Sequence, residues 1–159
     1  MLTNEEFTAL VKKYIDMVFR VAFSYLKNRD DAEDVVQNVF LKLLQESKSF
    51  GSEDHIRYWL IRVAVNECKT LLRFPWHQHE SFEDYAASMS FPSPEHGDLF
   101  FAVMDLPKKY RMPIYLYYYE GYSTAEVADI LKIPKGTVCV NLKRGRELLK
   151  NQLLEDDEL

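Results

Sequence analysis

The stretch YSTAEVADILKIPKGTVCVNLKRGR, from Tyr122 to Arg146, decides the fold of the second half of this chain. Ser123 is a residue type that caps helix starts, and Glu126, three residues later, completes a capping box. An apolar stripe at helical spacing follows, formed by Val127, Ala128 and Leu131. These features predict a short helix that begins directly after Ser123.

A second helix is predicted after a tight turn at Lys132 and Ile133. Pro134 suits the first position of that helix, because its missing N–H costs nothing there. Steps of four, three and four residues define its inward face: Val138, Leu142, Gly145 and Leu149. A short capped helix, a tight turn and a basic second helix are typical of a helix-turn-helix, which places its second helix in the DNA major groove. The alternative is an ordinary helical hairpin with solvated charges.

The composition indicates folded domains. The 159 residues are 47% apolar, enough for one domain or two small ones. No apolar run reaches membrane-spanning length and no signal-peptide pattern is present, so we expect no membrane insertion. Two cysteines are too few and too isolated for a disulfide framework or a zinc site. A reducing, cytoplasmic location is the expectation.

The net charge of −5 becomes informative when it is divided along the chain. Residues 1–73 are neutral, residues 74–98 carry −5, residues 99–150 carry +4 and the remaining tail carries −4. Positive charge therefore coincides with the predicted helix-turn-helix, which is the charge pattern of a nucleic-acid-binding segment.

Three amphipathic helices are predicted in the first half. The first is capped by Thr3 and is expected to end near Asn28, and the second starts at Asp30. After a break at Phe50–Ser52, a third helix runs from Glu53 to Arg73. Its predicted buried side consists of Ile56, Trp59, Leu60, Val63, Ala64 and Leu71.

Two faces of these helices are candidate binding surfaces. On the second helix, Leu41 lies among polar residues, which is typical of a protein-binding surface, although single exposed leucines are common. On the third helix, one stripe combines an aromatic ring, an amide and three cations: Tyr58, Arg62, Asn66, Lys69 and Arg73. Such a stripe suits single-stranded nucleic acid, since rings stack on bases and cations meet phosphates. A solvated basic face is the equal alternative.

An acidic linker with three prolines is predicted over residues 74–97. His77 and His79 with Glu80 bring a metal site to mind, but two loop histidines without a second ligand cluster are far more often solvated, so we predict no metal. Beyond the linker, we expect a helix from Pro94 to Asp105 that packs Leu99, Phe100, Val103 and Met104.

A further helix is expected to end or kink at Pro113, since proline lacks an N–H and clashes with the preceding turn. The tyrosines between Ile114 and Tyr119 are interpreted as amphipathic core rather than as a base-stacking platform.

Two segments resemble the polymerase-binding and promoter-melting region of bacterial sigma factors: DAEDVVQNVFLKLL (31–44) and RYWLIRVAVNECKTLLR (57–73). The second half, LPKKYRMPIYLYYYEGYSTAEVADILKIPKGTV (106–138), is similar to the C-terminal helix-turn-helix domain of the compact extracytoplasmic-function group. The resemblance implies an all-α fold with two small helical domains, residues 1–73 and 98–154, joined by the linker 74–97 and followed by an acidic tail, 155–159.

The resemblance also implies site residues. Core RNA polymerase would be bound by Asp31, Asp34, Gln37, Asn38 and Leu41. The minus-ten element would be bound by Phe50, Tyr58, Arg62, Asn66, Lys69 and Arg73, with the loop Phe50–Ile56 holding a flipped non-template base. The minus-thirty-five element would be bound as duplex by Lys135, Thr137, Val140, Asn141, Lys143, Arg144 and Arg146.

The chain departs from the family pattern at two positions. Cys139-Val140-Asn141 stands where many members carry a basic–Ser–Arg run, and losing an arginine contact removes about 1–3 kcal/mol of base discrimination. Asn141 can pair with adenine instead, and Val140 can contact a thymine methyl. Lys132 stands where glycine is usual in the turn, and a left-handed lysine there costs roughly 1 kcal/mol.

These features predict a sigma factor that is monomeric when free, acts through core RNA polymerase and promoter DNA, and has an anti-sigma factor as a further partner. The alternative is a helix-turn-helix or sigma-like regulator that does not itself initiate transcription. No nucleophile–base pair, phosphate-binding glycine loop or metal-ligand spacing is present, so we expect neither catalysis nor a cofactor. The acidic tail either competes with DNA for the basic helix or simply aids solubility.

Overall fold

The computed structural model describes residues 2–46, 49–73 and 97–157, and every element in these ranges is helical. The chain divides into two compact units, Met1–Met89 and Ser90–Leu159. The predicted linker residues 74–96, including His77, His79 and Glu80, lie outside the described residues.

The first unit is a bundle of α1 (Asn4–Leu26), α2 (Arg29–Gln45) and α3 (Glu53–Leu71), in which each helix packs against the other two. Side chains with almost no solvent exposure form its core: Val18, Val21, Ala22, Val39, Leu43, Leu60, Ile61, Ala64, Val65 and Cys68. Burial of this many apolar side chains stabilises helices whose individual propensity is modest.

Side-chain caps set where these helices begin. The side chains of Thr3, Asn28 and Ser52 each accept a hydrogen bond from the backbone N–H three residues later, at 3.1, 2.9 and 3.2 Å. The expectation that Asn28 ends the first helix is wrong, because Asn28 caps α2. Lys27 ends α1 instead, in a left-handed conformation with φ 54°.

The buried side of α3 also differs from the prediction. Ile61, Val65 and Cys68 are fully buried, whereas Ile56, Trp59, Val63 and Leu71 are only partly buried. Because α3 packs against both α1 and α2, its buried surface is wider than one stripe and is centred on a different side.

The second unit contains α4 (Gly97–Met104), α5 (Lys108–Ile114), a π-helical turn (Tyr115–Tyr119), α6 (Thr124–Leu131) and α7 (Lys135–Asp157). Its core consists of Phe100, Val103, Met104, Met112, Ile114, Tyr115, Leu116, Val127, Ile130, Val138 and Leu142. Leu99, predicted to pack, is 40% exposed.

Three boundaries in this unit differ from expectation. Pro113 lies inside α5, and the chain passes directly from α5 into the π-helical turn, where the Glu120 N–H donates to the Tyr115 carbonyl. Pro134 precedes α7 rather than starting it. α7 also continues through Asp157, so residues 155–157 belong to a helix and do not form a separate tail.

Candidate nucleic-acid interface and partner surfaces

The turn between α6 and α7 has the geometry that the sequence predicted. Ser123 and Glu126 form a complete capping box, with donor–acceptor distances of 3.0 and 3.1 Å. Lys132 is left-handed, with φ 58° and ψ 47°, and the Ile133 N–H donates to the Ala128 carbonyl at 3.1 Å. This hydrogen bond satisfies a helix-end carbonyl as α6 stops. The turn therefore sets the orientation of α7 relative to α6.

A close helix contact holds α7 in place. The four residues predicted to face inward are all buried: Val138, Leu142, Gly145 and Leu149. At Gly145 a β-carbon would overlap the side chain of Ile114 and lie 3.4 Å from the β-carbon of Tyr110. Glycine therefore allows α5 and α7 to approach more closely than any other residue type would.

The predicted minus-thirty-five residues divide between two faces of α7. Thr137, Asn141 and Arg144 follow at steps of four and three, so they share one face. Thr137 and Arg144 are exposed and Asn141 is partly exposed. Lys135 is exposed, and so is Val140, by 47%. This face presents an amide, a hydroxyl, a methyl-bearing side chain and a guanidinium, the groups that read base edges.

Lys143 and Arg146 lie on another face of α7, together with Cys139. Lys143 follows Cys139 by four residues, and Arg146 follows Lys143 by three. The Arg146 Nη1 donates a hydrogen bond of 3.0 Å to the hydroxyl of Tyr118. The structure thus associates Arg146 with the π-helical turn, which the spacing of charges along the sequence did not reveal.

Two residues that the sequence analysis overlooked lie beside the Arg144 face. The Lys109 Nζ is 5.0 Å from the ring centre of Tyr110. A hydrogen bond from Lys109, with a smaller contribution from Arg144, holds the pKa of the Tyr110 hydroxyl below its usual value. Nearby positive charge has this effect because it favours the ionised phenolate, so Lys109, Tyr110 and Arg144 form one positive cluster. The run Lys-Lys-Tyr after Pro107 was the available sequence signal.

The tyrosines of the π-helical turn point in two directions, which agrees with the amphipathic arrangement predicted for them. Tyr115 is 1% exposed and donates a 2.7 Å hydrogen bond to Glu120, whereas Tyr117 and Tyr118 are 37% and 52% exposed. Arg111 is also buried, and its Nη1 donates to the Leu106 carbonyl at 3.0 Å. Buried polar groups such as these stay buried because they are hydrogen-bonded.

On α2, four of the five predicted polymerase-binding residues are exposed: Asp34, Gln37, Asn38 and Leu41. Leu41 is 54% exposed, and Leu44 extends the apolar surface with 39% exposure. Asp31 differs, because it is only 8% exposed in the first turn of α2. The exposed α2 face is therefore defined by the other four residues.

Four predicted minus-ten residues, Tyr58, Arg62, Asn66 and Lys69, lie along one side of α3, and Arg73 lies in the turn after its end. Arg62 and Arg73 are exposed, while Tyr58, Asn66 and Lys69 are partly exposed. The guanidinium carbon of Arg62 lies 5.9 Å from the ring centre of Tyr58, so a cation covers the ring. Phe50, just before α3, packs edge-on against His55 and Trp59 with ring-centre distances of 5.2 and 5.7 Å.

Comparison with known proteins shows that both halves of the chain match regions of one protein family. Residues 10–77 match Sigma-70 region 2, and residues 98–149 match Sigma-70, region 4. The chain is 30% identical to RNA polymerase sigma factor SigV of Bacillus subtilis (strain 168), over 87% of this chain and 86% of that protein. It is 32% identical to the ECF RNA polymerase sigma-E factor of Escherichia coli (strain K12), over 94% of this chain and 87% of that protein.

The chain belongs to the extracytoplasmic-function (ECF) sigma factors. Proteins of this family are DNA-binding initiation factors, so the chain binds RNA polymerase and directs transcription initiation at promoters. The chain is also similar to the sigma factor RpoE in its co-crystal structure with the anti-sigma factor NepR from Bartonella quintana. That match has 25% identity and a TM-score of 0.69, over 94% of this chain and 97% of that one. The predicted all-α, two-domain fold is confirmed.

The second unit of this ECF sigma factor also contains an apolar groove of about 610 Å³ between α4, the π-helical turn and the end of α7. Its apolar surface is formed by Leu99, Val103, Leu149, Leu153 and Leu154. Arg146 and Lys150 lie at the groove as its two cations. The Tyr119 hydroxyl is shielded from solvent without a hydrogen-bond partner among the described residues, and burial raises its pKa.

Within residues 2–46, 49–73 and 97–157, no three His, Cys, Asp or Glu side chains come together in a way that could hold a metal ion. No helix in this described part of the chain is long and apolar enough to cross a membrane.

Proposed function

We propose that this ECF sigma factor divides its work between its two units. Residues 1–73 would bind core RNA polymerase and the minus-ten element, and residues 98–154 would bind the minus-thirty-five element across the linker 74–97. The order of the region 2 and region 4 matches along the chain supports this division. Linking two modest binding modules raises the overall affinity without any new contact.

The polymerase-binding surface is proposed to be the exposed α2 face of Asp34, Gln37, Asn38 and Leu41. The exposure of Leu41 supports this, since an apolar side chain open to solvent in a polar surrounding is typical of a partner surface. Asp31 is left out of the surface, because its buried side chain cannot reach a partner without local rearrangement.

A double substitution tests this surface. Gln37→Ala with Leu41→Ala should weaken binding to core RNA polymerase on the order of tenfold or more, as expected when an anchor residue is lost. Ile15→Ala is the matched control, because Ile15 is another exposed apolar residue of the same unit. Unchanged affinity of the double variant, measured by fluorescence titration of core polymerase, would contradict the assignment.

For the minus-thirty-five element, we propose that Thr137, Asn141 and Arg144 with Val140 read the duplex. The single observation behind this choice is that Thr137, Asn141 and Arg144 share one solvent-accessible face of α7. Lys135 at the start of α7 and the Lys109–Tyr110 pair beside Arg144 would meet phosphates. Lys143 and Arg146 would contribute positive charge rather than base contacts.

For the minus-ten element, we propose that Tyr58, Arg62, Asn66 and Lys69 of α3, together with Arg73 just after the helix, contact the single strand. Its mixture of cations with a ring and an amide supports this role. Phe50 and the loop that follows it would receive a flipped non-template base.

One experiment decides the function as a whole. Purified protein is mixed with core RNA polymerase and a library of genomic promoter fragments, and transcript starts are sequenced. Starts that share one pair of upstream elements, and that disappear without the protein, are the expected result. Binding of polymerase with no new starts would instead indicate a sigma-like regulator that does not initiate transcription.

We further propose that the apolar groove of the second unit accepts an amphipathic helix of an anti-sigma factor, with leucines in the groove and acidic residues at its edge. Arg146 and Lys150 supply the complementary charge. The co-crystal structure of the RpoE relative with an anti-sigma factor supports a partner of this class.

The groove can be tested with a synthetic helical peptide of leucines and glutamates, titrated calorimetrically into the full chain. Leu153→Glu should weaken binding about tenfold or more, because a charge would enter an apolar site. A peptide of the same pattern with lysine in place of glutamate is the control. Equal binding of the two peptides would contradict the proposed charge complementarity.

Two broader assignments follow from family membership. The protein would act as a recognition subunit without catalytic activity of its own, since its proposed surfaces suit binding rather than bond chemistry. It would act in the cytoplasm, where RNA polymerase and promoter DNA meet. Fractionation of cells that produce the protein checks the second assignment.

A further inference from the structure

His55 makes three links to the loop that precedes α3. Its backbone N–H donates to the Ser52 side chain at 3.2 Å, as part of the helix cap. Its ring Nδ1 accepts a hydrogen bond from the Gly51 N–H at 3.2 Å. Its ring also packs edge-on against Phe50, at 5.2 Å between ring centres and an interplanar angle of 75°. The side chain and backbone of His55 thus link Phe50, Gly51 and Ser52 to the first turn of α3.

We propose that His55 is a positioning residue for promoter opening, acting through the Nδ1 hydrogen bond that fixes the backbone at Gly51. This inference rests on the proposed function of the loop as the receptor for a flipped base. His55 would not contact the base itself. It would hold the loop in the shape that receives the base.

The surroundings of Gly51 explain why such a bond matters. Open space surrounds the position that a β-carbon would take at Gly51, and its backbone does not adopt a positive φ. Neither crowding nor a left-handed conformation therefore requires glycine here, and its presence makes the loop intrinsically flexible. A hydrogen bond to the Gly51 N–H removes that freedom before DNA arrives. Pre-organisation of this kind lowers the entropic cost of binding.

The position of Phe50 depends on the same arrangement. Its ring is held edge-on by two α3 side chains, His55 and Trp59. Phe50 is half-buried, so part of its ring remains accessible for stacking. If the Gly51 backbone moves, the Phe50 ring moves with it, since the two residues are adjacent in the chain.

The chemistry of the bond suggests two informative variants. A histidine that accepts at Nδ1 carries its proton on Nε2. His55→Asn keeps an acceptor atom at the position of Nδ1 but removes the ring, because the asparagine oxygen is bonded to the same γ-carbon. His55→Phe keeps a ring beside Phe50 but removes the acceptor.

The experiment measures promoter opening by holoenzyme, using 2-aminopurine fluorescence at the melted positions of a promoter. His55→Phe should reduce open-complex formation about fivefold, the factor that corresponds to one neutral hydrogen bond. Open-complex formation by His55→Asn should remain within about twofold of that by the unmodified protein. This variant loses only the ring contact with Phe50, which contributes less than the hydrogen bond. Core-polymerase affinity should stay unchanged in both variants, which separates positioning from a general structural defect.

Asp16→Asn is the control, because Asp16 is an exposed residue of α1 in the same unit and belongs to none of the surfaces proposed to bind polymerase or DNA. Circular dichroism confirms that each variant retains its helices. The inference would be overturned if His55→Phe opened the promoter normally. It would also be overturned if His55→Asn were as defective in opening as His55→Phe. Phe50→Ala distinguishes a failure of the proposed loop function from a failure of the proposed role of His55. Normal opening by Phe50→Ala would contradict the loop function itself. Defective opening by Phe50→Ala together with normal opening by His55→Phe would contradict only the role of His55.

Discussion

The loop before α3 and the turn before α7 both carry residues proposed to contact DNA, but they are held in different ways. The turn is fixed by a capping box, a left-handed lysine and a recognition helix that packs against α5 at Gly145. The loop at Phe50–Ser52 depends on side chains of one neighbouring helix, above all His55 and Trp59. The proposed duplex-reading surface is therefore the more firmly held of the two, whereas the proposed strand-opening surface is more easily perturbed.

The largest expected effect comes from filling the space at Gly145. Gly145→Val should lower the free energy of unfolding of the second unit by about 1–3 kcal/mol, because the added carbons overlap the buried Ile114 side chain. Urea unfolding followed by circular dichroism measures it. Gly136→Val is the matched control, since open space surrounds Gly136 in the same helix, and it should change stability by only about 0.5 kcal/mol. Equal stability of the two variants would mean that α7 is not held at Gly145.

The next effect concerns the two faces of α7. Asn141→Ala should remove about 1–3 kcal/mol of discrimination at one base pair of the upstream element, because an amide that reads a base edge is lost. Arg146→Gln should weaken binding to all sequences to the same small extent, since Arg146 lies on the other face beside Tyr118. Transcription from a set of single-base promoter variants separates the two. A sequence preference altered by Arg146→Gln would contradict the division into faces.

A smaller effect is expected at the left-handed lysines, one in each unit. Lys132→Gly should stabilise the second unit by roughly 0.5–1 kcal/mol, because glycine adopts positive φ without a steric cost. Lys27→Gly offers the same comparison at the end of α1, where φ is 54°. Lys143→Gly, at an exposed position inside α7, should destabilise instead. Thermal unfolding of the three variants shows whether the turn before α7 stores strain.

The smallest effect is expected at the C-terminus. Deleting residues 155–159 should change DNA binding very little at physiological salt. Arg146 and Asp157 belong to one continuous helix, which places them about 16 Å apart along its axis, beyond the Debye length of about 8 Å. Residues 155–157 are therefore too far away to compete with DNA for the basic residues of α7. The sequence alone had left that competition open. Clearly stronger binding of the truncated protein in a gel shift would show that the helix opens at its end.

The helix-turn-helix was predictable because its signals are local. Ser123 and Glu126 are three residues apart, and the capping box that they form follows from that spacing. The inward face of α7 followed from helical periodicity, including Gly145, although only the structure revealed that Ile114 is the residue against which Gly145 packs. Even the left-handed turn at Lys132 was expected from its position in the motif.

Several features could not be predicted because they depend on contacts between distant parts of the chain or on burial. The burial of Asp31 reflects the packing of the first unit, not its neighbours in sequence. The link between Arg146 and Tyr118 joins residues 28 positions apart. The same limit applies to the burial of Arg111 and to the position of the Lys109–Tyr110 pair beside Arg144.

The sequence by itself determined the helical fold, the two-part organisation, the family and the chemical types available on each surface. Periodicity, capping and charge distribution carry that information over short distances along the chain. Only the tertiary structure decided which charged residues face solvent, which of them share a face, and how His55 holds the loop before α3. The physical reason is that exposure and side-chain geometry depend on how the helices pack against each other, and helix packing brings together residues that no local pattern connects.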